Sequence, residues 1–169
     1  MHEAAVGWSH SNRRMTALVI LRMLIGWHFL YEGLVKVLNT RWTSAQYLLE
    51  TKGPFAGFFH WLVINPARLG VVDFLNQWGL VLIGVALIAG LLTRYATIAG
   101  ILILALYYFS TPPFPGYVYA KPAEGSYLIV NKVLIELAAL WVLFLFPTSQ
   151  TVGLDRLLER KAAPEASHD

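Results

Sequence analysis

Four long apolar stretches dominate the pattern of hydrophobic and polar positions, and polar or turn-forming segments separate them. An α-helix rises about 1.5 Å per residue, so about 20 apolar residues are needed to cross ~30 Å of hydrocarbon. The stretches approach or exceed that length, although the third is short. We therefore predict an all-α fold, a four-helix transmembrane bundle, with spans at about residues 16–38, 72–92, 95–110 and 127–146.

The connections between the apolar stretches differ in length and character. Only Thr93 and Arg94 separate the second span from the third, which predicts an antiparallel hairpin. The connection between the first two spans is long, and it contains an aromatic piece, Phe55–Ile64, that is too short to cross a bilayer. We predict that this piece forms an interfacial helix or a lid in the first outer loop.

Composition supports a membrane protein and excludes several other classes. Of the 169 residues, 57% are hydrophobic and 14% are charged, and the mean hydropathy is +0.55. A soluble domain of this size needs more polar surface. The net charge of +3 comes from scattered basic residues beside apolar runs, which argues against a nucleic-acid partner. The chain has no cysteine, which excludes disulfides, thiolate-bound metals and iron–sulfur clusters.

The basic residues also predict an orientation. Outside the predicted spans, six lysines and arginines lie on the side of the two termini, and four lie on the other side. The positive-inside rule then places both termini in the cytoplasm, for a multi-pass protein of a bacterial-type inner membrane. The predicted domains are a cytoplasmic segment at 1–15, the membrane domain at 16–148 and a cytoplasmic tail at 149–169.

The first span carries four ionisable residues: Arg22, His28, Glu32 and Lys36. A charge near the centre of a membrane helix costs at least ~2.5–3.5 kcal/mol, so these groups need partners or a wet cavity. His28, Glu32 and Lys36 follow one another at intervals of four residues and share one helix face, on which Glu32 and Lys36 are placed to pair. No second histidine lies at a depth that matches His28, so no haem or metal site is expected.

Two glycines, Gly26 and Gly33, lie on an overlapping stripe of the same span. The stripe also contains Arg22, Phe29 and Lys36, at spacings of three and four residues that keep all five on one side of the helix. Because glycine has no side chain, another helix can approach the backbone closely at this stripe.

The remaining polar residues gather at the same end of the bundle once each span has a direction. Asn131, Lys132 and Glu136 fall in the outer half of the fourth span, and Lys132 and Glu136 are again one turn apart. The third span ends with Tyr107 and Tyr108. A polar pocket in an apolar bundle, roofed by aromatic side chains, is therefore the leading site hypothesis. The competing interpretation is that the charges are structural pairs that fix helix register.

Three segments resemble a known family. Ile20–Lys36, which contains the ionisable residues above, resembles the first helix of the DoxX/DoxD-like membrane proteins. Gly84–Arg94 is similar to the end of that family's second helix, and Asn131-Lys132 with Glu136 resembles its fourth-helix motif. The resemblance covers about residues 16–148. It implies a four-helix membrane bundle that works beside quinones and redox enzymes, since one branch of the family is a subunit of thiosulfate:quinone oxidoreductase or of a terminal oxidase complex.

The leading hypothesis that follows is a membrane subunit of a redox complex. It binds quinone as its cofactor in the outer-leaflet pocket and accepts electrons from an extracytoplasmic oxidoreductase partner; no metal, haem or iron–sulfur cluster is expected. The catalytic candidates, which exchange protons with the quinone, are Glu32 and Glu136. The quinone-binding candidates are His28, Lys36, Asn131, Lys132, Tyr107, Tyr108 and Trp27. Structural roles or lipid contacts are assigned to Arg22 and Arg94.

Two other functions stay open at this stage. The chain is a non-catalytic anchor or assembly subunit if its polar cluster only holds the helices together. It is a small-solute carrier if dimerisation supplements its four spans, although it shows no internal repeat. Membrane lipid is a partner in every case, and a homo-oligomer is compatible with the sequence.

Overall fold

The computed structural model describes residues 2–119 and 128–156, with side chains from Asn12 onward. Every regular element within these ranges is an α-helix, as predicted. The helices are α1 His2–Leu38, α2 Ala45–Leu49, α3 Ala56–Ile64, α4 Pro66–Ala89, α5 Thr93–Ser110 and α6 Lys132–Leu145.

Three helices in the described ranges are long and apolar enough to cross a membrane. They are Asn12–Leu38 within α1, Pro66–Ala89, and Thr93–Ser110. Their outward surfaces are apolar, with exposed side chains such as Leu24, Leu82 and Leu102. A water-soluble monomer rarely exposes so much apolar surface, whereas the helix surfaces that contact lipid in a membrane protein must be apolar. The chain is therefore a membrane protein.

The fourth predicted span is represented by α6, which has 14 residues, Lys132–Leu145. This corresponds to about 21 Å, less than the ~30 Å of a hydrocarbon core. The helix begins later than Tyr127, which lies outside the described residues, because Asn131 is its N-cap and accepts a hydrogen bond from the Leu134 amide at 2.9 Å. The assignment of α6 as a fourth membrane span stays a prediction.

Helices α1 and α4 pack backbone to backbone at three glycines. An added Cβ at Gly84 would lie 2.4 Å from the Leu30 nitrogen, and one at Gly33 would lie 2.7 Å from the Val81 nitrogen. At Gly26 the closest atom, on Ile88, would be 2.9 Å away. The predicted close approach at Gly26 and Gly33 is therefore confirmed, and Gly84 is its counterpart on α4.

One apolar core joins the long helices. Phe29 from α1 is 2% exposed, and Leu87 from α4 and Leu140 from α6 are completely buried. Leu104 from α5 completes this cluster. Helix α6 thus belongs to the same packed unit as the three membrane-spanning candidates.

The predicted hairpin between the second and third spans is present as a tight turn between α4 and α5. Gly90 ends α4 with φ of 65°, a left-handed conformation that glycine adopts without steric cost. The chain after α6 folds over this turn, and the Leu154 and Asp155 amides donate to the Ala89 and Gly90 carbonyls at 3.1 and 2.9 Å. A Cβ on Gly90 would lie 2.6 Å from the Gly153 Cα, so this contact also depends on glycine.

Arg22 lies beneath the same segment and is 3% exposed. Its guanidinium donates to the Thr148 hydroxyl and to the Val152 carbonyl, both at 2.8 Å. Arg22 therefore ties α1 to residues 148–155, which we call the C-terminal clasp. This arrangement gives Arg22 a structural contact at the end of the bundle that lies opposite Lys36.

Asp155 fixes the C-terminal clasp to the first turn of α5. Its carboxylate accepts from the Leu92 amide at 2.6 Å and from the Thr93 amide at 3.3 Å. Burial opposes ionisation of this carboxyl, but hydrogen bonds from Ser149, Leu92 and Thr93 outweigh burial and lower its pKa. The anion also faces the N-terminus of α5, where the helix dipole favours negative charge.

Replacing Asp155 with asparagine is expected to lower the stability of the detergent-purified protein by about 1–2 kcal/mol near neutral pH. Because the pKa of the carboxyl is lowered in the folded state, its contribution is present above about pH 4 and is lost as the pH falls through the lowered pKa. Thermal unfolding of the wild type and of Asp155→Asn should therefore differ at pH 7 and converge in acid. An equal difference at all pH values would contradict this role of the charge.

The first loop contains the two short helices. The aromatic piece Phe55–Ile64 forms α3, in which Phe59 is buried and Phe58 and Trp61 are exposed. Arg68, at the start of α4, lies over the Trp61 ring at 3.9 Å and donates to its carbonyl at 2.8 Å. The helix expected in this loop is present, and its position at the membrane surface or as a lid stays a prediction.

Candidate functional site

A cavity of about 910 Å³ opens at the end of the bundle where α1 ends and α6 begins. Its wall combines side chains from α1, α4, α5 and α6 with the loop segments 39–50 and 111–119. Five predicted site residues line it: Glu32, Lys36, Tyr107, Asn131 and Lys132. The structure thus brings together residues that are up to 100 positions apart in the chain.

On the α1 side, the cavity wall is an ion pair. Lys36 Nζ donates to Glu32 Oε2 at 2.8 Å, as the spacing of the two residues predicts. The side chain of Lys36 is 15% exposed and that of Glu32 is 50% exposed, so the carboxylate is the more accessible partner. The Lys36 ammonium also lies 5.8 Å from the centroid of the Trp42 ring, within cation–π range.

Two hydrogen-bonded tyrosines form the wall between α4 and α5. Asn76 Nδ2 donates to the Tyr107 hydroxyl at 2.6 Å, while Asn76 Oδ1 is buried without a hydrogen-bond partner among the described residues. The hydroxyl of Tyr47, from α2, lies 2.6 Å from the Ser110 hydroxyl. Tyr47 and Tyr107 meet edge to face at a centroid distance of 6.1 Å. Tyr107 therefore presents a phenol whose own hydrogen can be donated.

The loop segment that covers the cavity is fixed to α4. Asp73 Oδ1 accepts from the Ser44 amide at 2.8 Å and from the Ser44 hydroxyl at 2.5 Å. Ser44 is 4% exposed, so this junction is protected from the surroundings. It places Trp42 and Tyr47, on either side of Ser44, in the wall of the cavity.

The His28–Glu136 pair lies outside the cavity wall. Glu136 hydrogen-bonds to His28, with 2.7 Å between Oε1 and Nδ1. On its own helix, Glu136 follows Lys132 by one turn, and the structure adds His28 of α1 as a hydrogen-bond partner. The two residues occupy neighbouring turns of α1 and α6, one turn deeper in the bundle than Glu32 and Lys132.

Four other candidates lie away from the cavity. The Tyr108 hydroxyl donates to the Ile129 carbonyl at 2.9 Å, and Trp27 is 61% exposed on the outer surface of α1. Arg94 lies over the Phe144 ring at 5.7 Å, and Arg22 is enclosed by the C-terminal clasp. None of these four side chains lines the cavity.

The sequence predicts that aromatic side chains roof the pocket, but it did not identify which loop residues do so. Trp42, Tyr47 and Thr111 line the cavity, although they lie outside the predicted spans. The available signal was the density of aromatic and hydroxyl residues just beyond the helix ends. Among the described residues, no group of three or more histidines and acids is placed to hold a metal ion. The chemistry that the wall offers is hydrogen bonding, proton exchange at a carboxylate and contact with aromatic rings.

Together, the fold and the cavity define a small helical membrane protein with a polar pocket at one end. The DoxX family model matches residues 17–112, which is more than half of the chain, and the chain belongs to the DoxX family. This match includes Glu32, Lys36 and Tyr107 and ends before Asn131, Lys132 and Glu136. No curated protein and no solved structure matches the chain.

Proposed function

We propose that this protein is the membrane subunit of a redox complex and that it binds the head group of a quinone in the cavity. The observation that carries the proposal is the cavity itself, in which an accessible carboxylate, a lysine and a half-buried phenol face one space of about 910 Å³. In this account, the electrons come from an extracytoplasmic oxidoreductase that docks on the loops around the cavity.

The wall matches the hydrogen-bonding needs of a quinone head group. Its carbonyl oxygens need donors, which Tyr107 and Lys132 supply, and its ring needs flat apolar contacts, which Trp42 and Tyr47 supply. The reduced form has hydroxyl groups that need acceptors. Acceptors in this wall include the Glu32 carboxylate and Asn76 Oδ1, which has no hydrogen-bond partner among the described residues.

Reduction of a bound quinone to the quinol takes up two electrons and two protons, and the electrons are supplied by the partner. Glu32 is placed to deliver a proton at the cavity and to take the next one from the outer solvent. Lys36, which is hydrogen-bonded to Glu32, orients the carboxylate and neutralises it after proton release. Glu136 and His28, which are hydrogen-bonded to each other, both lie outside the wall, so Glu32 is the carboxylate that exchanges protons directly with the bound quinone.

The proposal also includes the orientation of the chain across the membrane. The excess of lysine and arginine at the opposite end favours cytoplasmic termini in an inner membrane, which places the cavity in the outer leaflet. Helix α6 packs on α5 and α1 as the fourth member of the bundle, and its 14 residues cross the bilayer together with the segments that flank them.

A binding titration tests the proposal. Trp42 lines the cavity, so a short-tail ubiquinone analogue should quench tryptophan fluorescence of the detergent-purified protein. Lys36→Gln is expected to weaken this binding about tenfold, equivalent to about 1.4 kcal/mol, because it leaves Glu32 without its partner. Arg94→Gln removes a charge at the opposite end and should not change the Kd. Equal binding by both variants, or no binding by the wild type, would exclude the proposed site.

The anchor hypothesis is the second candidate, and one observation favours it. Glu32 is paired with Lys36, and Glu136 is paired with His28. Each carboxylate therefore already has a hydrogen-bonding partner within the chain. If the pairs are only structural, variants that lack these pairs will no longer retain the partner protein in a gentle-detergent pulldown. Quinone binding distinguishes the two functions, because an anchor needs none. Uptake of a solute into vesicles that contain this chain alone would instead support a carrier.

A further inference from the structure

The His28–Glu136 pair lies at an unusual place for a polar contact. His28 is near the middle of the candidate span Asn12–Leu38, yet its side chain is 53% exposed. Polar and ionisable side chains that face lipid at such depth are costly, and they mark functional paths more often than they fill a surface. The pair is satisfied within the chain at 2.7 Å, so its exposure needs another explanation.

This pair continues the cavity along one junction between helices. On α1, Glu32 follows His28 by one turn and lines the cavity; on α6, Lys132 precedes Glu136 by one turn and also lines it. We call this row of four residues the α1–α6 seam. It begins at the cavity wall, with Glu32 and Lys132, and ends one turn away at the exposed side chain of His28.

Apolar side chains flank the α1–α6 seam on the outside. Leu24 and Tyr31, one turn from His28 along α1, are 63% and 57% exposed. Ile135, beside Glu136 on α6, is 62% exposed. A row of polar residues that is flanked by these exposed apolar side chains, which we call the apolar edges, fits a molecule with a polar ring and a hydrocarbon tail.

We propose that the α1–α6 seam is the lateral entrance by which a lipid-soluble quinone passes from the bilayer into the cavity, with its isoprenoid tail left between the apolar edges. His28 and Glu136 offer the head group hydrogen bonds during its passage, which reduces the cost of leaving lipid. This proposal rests on the proposed function, because it takes the same ligand to the same cavity.

A second depression on the lipid-facing surface provides the comparison. It has a volume of about 140 Å³ and is lined by Ile98, Ile101, Leu102, Trp141 and Phe144. Its lining is apolar, and it shares no residue with the cavity. A head group that entered there would meet only one hydrogen-bonding side chain, Trp141, whose indole N–H can donate but not accept. The α1–α6 seam is therefore the better entrance.

The absence of native cysteine allows a clean test. Leu24→Cys and Ile135→Cys, each modified with a bulky maleimide in detergent and then reconstituted in nanodiscs, place an obstacle at the edges of the seam. Leu82→Cys is the matched control, since Leu82 is a membrane-helix leucine that is 64% exposed, against 63% for Leu24. Stopped-flow tryptophan fluorescence measures association of a long-tail ubiquinone and of a water-soluble short-tail analogue.

Modification at residues 24 and 135 is expected to slow association of the long-tail quinone at least tenfold, while modification at residue 82 leaves it unchanged. The Kd of the short-tail analogue should be unaffected in all three, which also shows that the cavity is intact. If modification at residues 24 and 135 leaves the association rate of the long-tail quinone unchanged, or if modification at residue 82 slows it equally, the α1–α6 seam is not the entrance. The proposed function would still stand. Failure of the unmodified protein to bind the short-tail analogue would overturn both.

Discussion

Replacement of Gly84 by alanine is expected to destabilise the bundle by about 3 kcal/mol, a large effect for one added methyl group. The new Cβ would lie 2.4 Å from the Leu30 nitrogen and 2.7 Å from the Gly26 oxygen. Both contacts are with backbone atoms of α1, so no side-chain rotation can relieve them. The two helices must separate, and the apolar core around Phe29 and Leu87 then loses its close packing.

Gly70→Ala is the matched control for this substitution. Gly70 lies in the same helix, and a Cβ there would meet nothing within 4 Å. Alanine at that position should be neutral or stabilising by up to about 1 kcal/mol, because alanine has a higher helix propensity than glycine. Thermal unfolding in detergent compares the two variants. Similar melting temperatures would contradict the close α1–α4 contact that the structure shows.

Removal of the Glu32 proton site is expected to have the largest effect on activity. In the complex purified with its partner, Glu32→Gln should lower the rate of quinone reduction by on the order of 10²–10⁴, the usual contribution of a general acid–base group. Glutamine keeps the size and the hydrogen-bonding capacity of the side chain but cannot release a proton. The measurement is the steady-state rate of quinone reduction with the partner's own electron donor.

Three comparisons separate loss of proton transfer from loss of structure. Glu32→Asp keeps a carboxylate and should retain more activity than Glu32→Gln. Glu136→Gln should have a smaller effect than Glu32→Gln, since Glu136 does not line the cavity. The Kd of a short-tail quinone should change less than tenfold in Glu32→Gln. A wild-type rate in Glu32→Gln with the partner still bound would refute the role of this carboxylate.

The elements that sequence could predict are those governed by local periodicity. The helices follow from apolar stretches of sufficient length, and the Glu32–Lys36 pair follows from a spacing of one helical turn. The close approach at Gly26 and Gly33 follows from the absence of a side chain. Each of these features is indicated by residues of a single helix. Helix geometry fixes the distances between those residues, so they are known before the fold is known.

Features that depend on contacts between helices were less accessible to sequence. The spacing on α6 relates Glu136 to Lys132, but it does not show that the rotation of α6 against α1 brings His28 to within 2.7 Å of the Glu136 carboxylate. That rotation is set by packing of residues such as Leu140, which is completely buried. The pattern of one helix does not contain this information.

The C-terminal clasp shows a similar limit. From the sequence, Arg22 is assigned only a structural role or a lipid contact. The structure encloses it between Thr148 and Val152, which lie more than 120 residues later in the chain. No periodic pattern connects these positions, because residues 148–154 follow α6 as turns and bends whose course depends on the contact with the α4–α5 turn.

The most direct test of the proposed function is a cryo-electron microscopy or crystal structure of the detergent-purified protein with a bound ubiquinone analogue. The account predicts density for the head group within hydrogen-bonding distance of Glu32 and Tyr107, with the tail leaving between α1 and α6. A head group bound instead in the apolar depression near Leu102 and Trp141, or a cavity that stays empty at saturating quinone, would contradict it.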